Sequence, residues 1–161
     1  MTDGDVKILL VDDQQMTRQG LRQLIAAKAG LTVVGEAINS DSAIEQIRIS
    51  APQLVLMNID QTKDESSAES TRRILAKFAA VKVIALSSES ELKYVLQALH
   101  AGVSGYVLKK HGFEELIRAI QMVMNYDCYL APEISAVMIR CFMKSYFGGI
   151  HAPEGAALSD R

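Results

Sequence analysis

The sequence predicts an α/β fold in which a doubly wound parallel sheet of five strands carries helices on both faces. Five mostly apolar runs, each too short for a helix, alternate with stretches of helical spacing from residue 6 to about residue 126. The central run, residues 54–60, starts with four apolar residues and follows Pro52, which is typical of a strand buried on both faces. Alternating strands and helices indicate a parallel sheet with right-handed crossovers.

The elements follow in order from these patterns, with strands predicted at residues 6–11, 31–35, 54–60, 81–86 and 103–108. Either Ser40 or Asp41 is expected to cap the second helix. Ser88 and Glu91 have the spacing of a capping box and predict the start of the fourth helix, which ends at Gly102. A flavodoxin-like strand order, 2-1-3-4-5, then places the first and third strands side by side at the switch point of the sheet.

Polar side chains gather at the carboxyl ends of these strands. Asp12 and Asp13 follow the first strand, and Asn58 lies near the end of the third. Two carboxylates and an amide provide the oxygen ligands that Mg²⁺ prefers. Ser87 and Lys109 follow the fourth and fifth strands, and a hydroxyl with an ammonium group is suited to bind phosphoryl oxygens. Taken singly, the acidic pair could be a helix cap, the serine part of a turn and the lysine a solvated side chain. Only their grouping at the strand ends indicates a site.

Four segments of the chain resemble the receiver domains of two-component response regulators, which have a CheY-like fold. They are residues 8–13 with the acidic pair, 52–58, 85–87, and 105–110, which reads Gly-Tyr-Val-Leu-Lys-Lys. The resemblance covers about residues 6–120 and implies that residue 58 stands at the phosphoacceptor position. It implies a switch formed by Ser87 and Tyr106, with Lys109 in the phosphate pocket. We therefore predict a receiver domain over residues 1–126.

The resemblance also implies a metal site. The side chains of Asp12, Asp13 and Asn58 would hold Mg²⁺ together with the backbone carbonyl of Asp60. Because residue 58 is an amide, the site lacks one negative charge and Lys109 competes for the two carboxylates. We expect any binding of Mg²⁺ as a cofactor to be weak.

Asn58 is the main departure from the family pattern, because receiver domains have an aspartate there. A carboxamide is neutral and a very poor nucleophile, so it cannot form an acyl phosphate. The residues that follow, Gln61 and Thr62, stand where the family usually has Met-Pro, and Ser67 stands near the place of a glycine. A single engineered change would leave that loop ordinary, so we favour natural divergence over an engineered Asp-to-Asn block.

Residues 127–161 are predicted to form a linker helix followed by a flexible linker. Pro132 suits a helix start, and residues 134–147 carry a wide apolar face that must pack on the receiver or on a second copy. Residues 129–133 and 158–161 resemble the linker and the first residues of the LuxR-type helix-turn-helix domain. We therefore expect a homodimeric transcription regulator, with a sensor histidine kinase or another signalling protein as partner. DNA would be bound only by a domain outside this chain.

Composition excludes several other classes of protein. Nineteen acidic and 17 basic residues give a net charge of -2, so this chain has no basic excess for nucleic acid. Cys128 and Cys141 are too few for a disulfide scaffold, and the acidic N-terminus is not a signal peptide, which predicts a cytoplasmic protein. No apolar run approaches the ~18 residues of a membrane span.

Two further alternatives to an atypical regulator remain at this stage. One is a stand-alone protein-interaction module that has no DNA-binding head. The other is an enzyme, such as a phosphatase that uses the acidic pair. The pocket provides no nucleophile of its own, so we predict that the chain is not an enzyme.

Overall fold

The computed structural model describes residues 4–59 and 66–148 and divides the chain into two units, residues 1–130 and 131–161. The first unit alternates strands and helices in the order β1 (Val6–Val11), α1 (Gln15–Ala26), β2 (Leu31–Ala37), α2 (Ser40–Ser50), β3 (Leu54–Ile59), α3 (Ser67–Lys77), β4 (Lys82–Ser87), α4 (Leu92–Ala101), β5 (Gly105–Leu108), a 3-10 turn (Lys109–His111), α5 (Gly112–Tyr126) and β6 (Tyr129–Leu130). The second unit contains α6 (Pro132–Phe147), which begins at Pro132 as predicted.

All neighbouring strands of the sheet are parallel, and their order is β2-β1-β3-β4-β5-β6. The predicted α/β class and the predicted order of the first five strands are confirmed. The predicted number of strands is too low by one, because β6 adds Tyr129 and Leu130 beside Gly105 and Tyr106 of β5. A strand of two residues is too short to show a periodic pattern, and so the sequence gives no signal for it.

Two of the predicted helix starts differ from the structure. Asn39, rather than Ser40 or Asp41, caps α2, because its side chain accepts a hydrogen bond from the Ser42 amide and the Ser42 hydroxyl accepts one from the Asn39 amide. Helix α4 has no side-chain cap, and Glu91 is its N-cap residue. The Ser88–Glu91 spacing therefore did not identify a capping box.

The central strands are buried on both faces, as expected for the middle of a parallel sheet. Residues Leu54 to Met57 of β3 are each at most 2% exposed. The core on one side of the sheet joins β1, β3 and β4 to the inner face of α5, whose buried residues are Leu116, Ile117, Ala119, Ile120 and Val123. This packing fixes the strand register and, with it, the position of the carboxyl ends.

Specific residues shape the C-terminal ends of α5 and α4. Lys82 at the start of β4 donates to the Val123 carbonyl at 3.1 Å and pairs with Asp127, so it covers the C-terminal end of α5. Gly102 ends α4 with φ of 108°, and a Cβ there would lie 2.7 Å from the side chain of Leu75. Only glycine satisfies both requirements at that position.

None of the helices in the described ranges combines the length and the apolar character that a membrane crossing requires.

Candidate functional site

The carboxyl ends of β1 and β3 meet because these strands pair directly, with Val11 opposite Met57. Asp12 follows β1 and is 5% exposed, whereas Asp13 is an exposed residue. The Asp12 carboxylate accepts a hydrogen bond from the Gln14 amide at 2.9 Å and one from the Asn58 side-chain nitrogen at 3.5 Å. The three predicted residues at this rim are therefore brought together by the strand order.

A cavity of about 520 Å³ opens at this rim. It extends from the acidic pair to the N-terminal ends of α2 and α3. Its lining residues are Val11, Asp12, Asp13, Ile38, Asn39, Ser40, Met57, Asn58, Ser67 and Ser70. The cavity is thus lined by carboxylates, amides and hydroxyls, with no basic side chain among the residues named.

The donor set of the cavity fits a hard cation. The Asn58 side-chain oxygen is buried, and no hydrogen-bond donor reaches it within the described ranges. A carbonyl oxygen in that position, next to the carboxylates of Asp12 and Asp13, suits Mg²⁺. However, no group of three or more His, Cys, Asp or Glu side chains with metal-binding geometry occurs in the described part of the chain. Among the lining residues that the structure describes, two are carboxylates, Asp12 and Asp13.

Ser87 is the last residue of β4 and Tyr106 is the second residue of β5, and the two are joined through Glu89. Both side chains are fully buried. The Glu89 amide donates to the Ser87 hydroxyl oxygen at 3.0 Å, and the Tyr106 hydroxyl donates to the Glu89 carbonyl at 2.6 Å. The tyrosine ring is therefore turned inward and holds the loop between β4 and α4 through its backbone.

Burial affects the ionisation of this tyrosine. Loss of solvent around the hydroxyl raises the pKa of Tyr106 above its usual value of 10.0, and the neighbouring Ser87 hydroxyl offsets part of the rise. Tyr106 is therefore neutral at physiological pH and acts as a hydrogen-bond donor.

Lys109 occupies a different part of the rim from the acidic pair. It is exposed in the 3-10 turn after β5 and lines an apolar cavity of about 180 Å³ between α1 and the start of α5. It makes no ion pair within the described ranges. Asp60, whose backbone carbonyl was expected to complete the metal site, lies outside the described residues.

One residue of the site had no signal in the sequence pattern. Arg18, in the first turns of α1, donates to the Asp12 backbone carbonyl at 2.6 Å and pairs with Glu36 of β2 at 3.5 Å. It thereby anchors the loop that carries the acidic pair. An arginine near the start of a helix is common on protein surfaces, and only the strand register shows that this one turns back toward β1.

Comparison with known proteins identifies the family. Residues 8–121 match the response regulator receiver domain. The chain belongs to this family. As a receiver domain it is a signalling module, and its fold agrees with the resemblance noted in the sequence.

Relatives of this receiver domain are response regulators of the LuxR type. It is 32% identical over 156 residues to response regulator GacA of Pseudomonas syringae pv. syringae, covering 97% of this chain and 71% of GacA. It is 32% identical over 133 residues to response regulator UvrY of Escherichia coli, covering 83% of this chain and 61% of UvrY. The transcriptional regulatory protein DegU of Brevibacillus brevis is 29% identical, with 87% and 59% covered. The chain therefore spans only about three fifths to seven tenths of the length of these relatives.

Solved structures support the same assignment. The crystal structure of a LuxR-family two-component response regulator from Aurantimonas sp. SI85-9A1 matches with a TM-score of 0.79 and 29% identity, covering 86% of this chain and 99% of that one. A LuxR-family DNA-binding response regulator from Staphylococcus aureus matches with a TM-score of 0.67 and 28% identity, covering 74% and 99%.

Proposed function

We propose that this chain is the receiver part of an atypical response regulator that controls transcription and cannot be phosphorylated at Asn58. Its output is set by association with a second copy or a partner protein. The observation that carries the proposal is the carboxamide of Asn58, which lies beside Asp12 at the carboxyl end of β3. In a receiver domain this is the position expected for the nucleophilic carboxylate.

The chemistry of the amide supports this reading. A carboxylate oxygen can attack phosphorus, whereas the amide oxygen is neutral and its nitrogen carries no available lone pair. The Asn58 amide instead donates a long hydrogen bond to Asp12. The Asn58 amide therefore occupies the position of a carboxylate but lacks the nucleophilic reactivity of a carboxylate.

The experiment exposes the protein to acetyl phosphate and Mg²⁺ and measures intact mass and sedimentation. We expect the natural chain to gain no phosphoryl group and to keep its association state. Asn58→Asp should gain one phosphoryl group, because a carboxylate then stands beside the acidic pair. Asn39→Asp is the matched control: it adds a carboxylate to the same cavity, away from β3, and should remain unmodified.

The outcomes separate the alternatives. Phosphorylation of the natural chain would refute the proposal. We also expect Asn58→Asp to switch its association state incompletely, because the loop after β3 lacks the Met-Pro and glycine pattern of the family. A variant that switches normally would support the alternative of a conventional receiver carrying an engineered block.

The metal site should be weak for the same reason. We propose that Asp12, Asp13 and Asn58 hold Mg²⁺ with the Asp60 carbonyl at millimolar concentration or above, equivalent to about 4 kcal/mol or less. Titration of Mg²⁺ with amide chemical shifts near Asp13 as the readout tests this. Saturation at tens of micromolar would contradict it.

The remaining assignments come from the family. We propose a cytoplasmic location, a sensor histidine kinase or another signalling protein as partner, and DNA binding through a domain outside this chain. The relatives named transcriptional regulatory proteins or response regulators support this, as does the match that extends through 97% of the chain to GacA.

A further inference from the structure

We infer that the C-terminal half of α6 pairs in parallel with the same helix of a second copy. The inference rests on the proposed function, which assigns control to association, and it names the surface. The pairing face consists of five apolar side chains, Ile139, Phe142, Met143, Tyr146 and Phe147, called here the α6 face.

The α6 face is unusual among the exposed surfaces of the chain. Its five side chains are between 47% and 63% exposed. They follow the spacing i, i+3, i+4, i+7, i+8, which puts them on one side of a helix. In the rest of the described chain, large exposed apolar side chains occur at most two to an element. A continuous apolar face of this kind marks an interaction site.

The rings of this face are already ordered in a single chain. Phe142 and Tyr146 stack with centroids 5.6 Å apart and an angle of 15° between their planes. Tyr146 and Phe147 meet edge to face with centroids 5.1 Å apart. Side chains that hold each other in place lose less conformational freedom when a partner covers them. The face is therefore prepared for binding before it meets another surface.

The size of the face fits a second copy of the same helix. At the observed exposures, five large apolar side chains present roughly 600 Å² per chain, so a symmetric pair buries about 1,200 Å². That total is the lower limit for a stable interface. Helix against helix also allows the residues to interlock as knobs and holes along a short seam.

The charges beside the α6 face favour a parallel pair. Arg140 and Lys144 lie along one flank of the α6 face, whereas the uncharged residues Met138 and Ser145 lie along the other. In a parallel pair each flank meets the opposite flank of the partner helix, so the basic flank contacts the uncharged one. An antiparallel pair would bring the two basic flanks together, and the like charges would repel.

Sedimentation of the full chain tests the surface. We expect a dimer whose dissociation constant rises at least about tenfold in the double variant Phe142→Ser/Tyr146→Ser, because buried aromatic residues dominate interface energies. The matched control, Met16→Ser/Ile49→Ser, replaces two apolar residues on other helices that are more exposed than Phe142 and Tyr146, and it should leave the dimer unchanged. Circular dichroism checks that both variants are folded. A natural chain that stays monomeric at high concentration, or a dimer that the first variant does not weaken, overturns the inference.

Cross-linking tests the orientation. In a parallel two-fold pair Ile139 faces its own copy, so Ile139→Cys in a Cys128→Ser/Cys141→Ser background should form an intermolecular disulfide on mild oxidation. Ile49→Cys in the same background should not. Absence of the Ile139→Cys cross-link in a dimer would exclude the parallel arrangement. Neither readout depends on phosphorylation, so failure here is distinguishable from failure of the proposal for Asn58, which the mass measurement decides.

Discussion

Replacing Tyr106 by phenylalanine removes one hydroxyl and leaves the buried ring in place. That hydroxyl donates to the Glu89 carbonyl at 2.6 Å, and the Glu89 amide in turn donates to the Ser87 hydroxyl at 3.0 Å. A hydrogen bond of this kind contributes about 1 kcal/mol net, and an acceptor left without its donor adds a desolvation cost. Because Glu89 is only half-buried, water can replace part of the loss. We therefore expect Tyr106→Phe to lower the free energy of unfolding by about 1–2 kcal/mol.

Tyr129 provides the matched control. It is a buried tyrosine on β6, next to β5, and its hydroxyl is buried without a hydrogen-bond partner in the described chain. Tyr129→Phe therefore removes a polar group that makes no hydrogen bond, and should change stability by less than about 0.5 kcal/mol or raise it.

Urea unfolding followed by circular dichroism measures both variants. Hydrogen exchange at the Glu89 amide reports on the loop directly, and it should become faster in Tyr106→Phe only. If the two variants lose equal stability, or if Tyr106→Phe is neutral, then the hydroxyl does not hold the loop and the reasoning fails.

Three further predictions follow from particular contacts. Because burial raises the pKa of Tyr106, folding favours the neutral hydroxyl. The contribution of this hydroxyl to the stability of the fold is complete below about pH 10 and is lost at higher pH. Urea midpoints measured up to about pH 11 should therefore fall more steeply for the natural chain than for Tyr106→Phe. Gly102→Ala should cost more than about 1 kcal/mol, whereas Gly20→Ala, which has open space within a helix, should stabilise by about 0.5–1 kcal/mol in the same thermal assay. Lys82→Met should destabilise by about 1 kcal/mol because it uncovers the end of α5, while Lys93→Met on the exposed surface of α4 should be neutral; equal effects would contradict the role of Lys82.

The strand order could be predicted because it depends on sequence patterns that hold whatever the tertiary contacts are. Apolar runs bounded by polar residues identify β1 to β5, and the chirality of crossovers leaves few arrangements. Helix caps were harder to predict, because several side chains compete for the same backbone groups. Asn39 caps α2 because Ser42 completes a reciprocal pair with it, a choice that composition alone does not determine.

In the candidate site, too, some features could be predicted from the sequence and others could not. Asp12 and Asn58 could be placed together from the sequence because β1 and β3 are neighbours. The direction of the Lys109 side chain depends on the 3-10 turn Lys109–His111, which has no hydrophobic period to indicate it. Arg18 reaches the Asp12 carbonyl from the next helix, and such a contact follows only from the register of the whole sheet.

The energies of these contacts limit what can control the domain. The Tyr106–Glu89 bond and the long Asn58–Asp12 bond each contribute about 1 kcal/mol or less, whereas reversing a 1:99 balance between two arrangements takes about 5.5 kcal/mol. Neither of these two contacts supplies that difference. A protein–protein interface with micromolar affinity corresponds to about 8 kcal/mol, and it can shift the balance by as much as its affinity differs between the two arrangements. Association is therefore a sufficient source of control for a receiver that carries Asn58. By linkage, if one arrangement of the domain strengthens association by a given free energy, then association stabilises that arrangement by the same free energy.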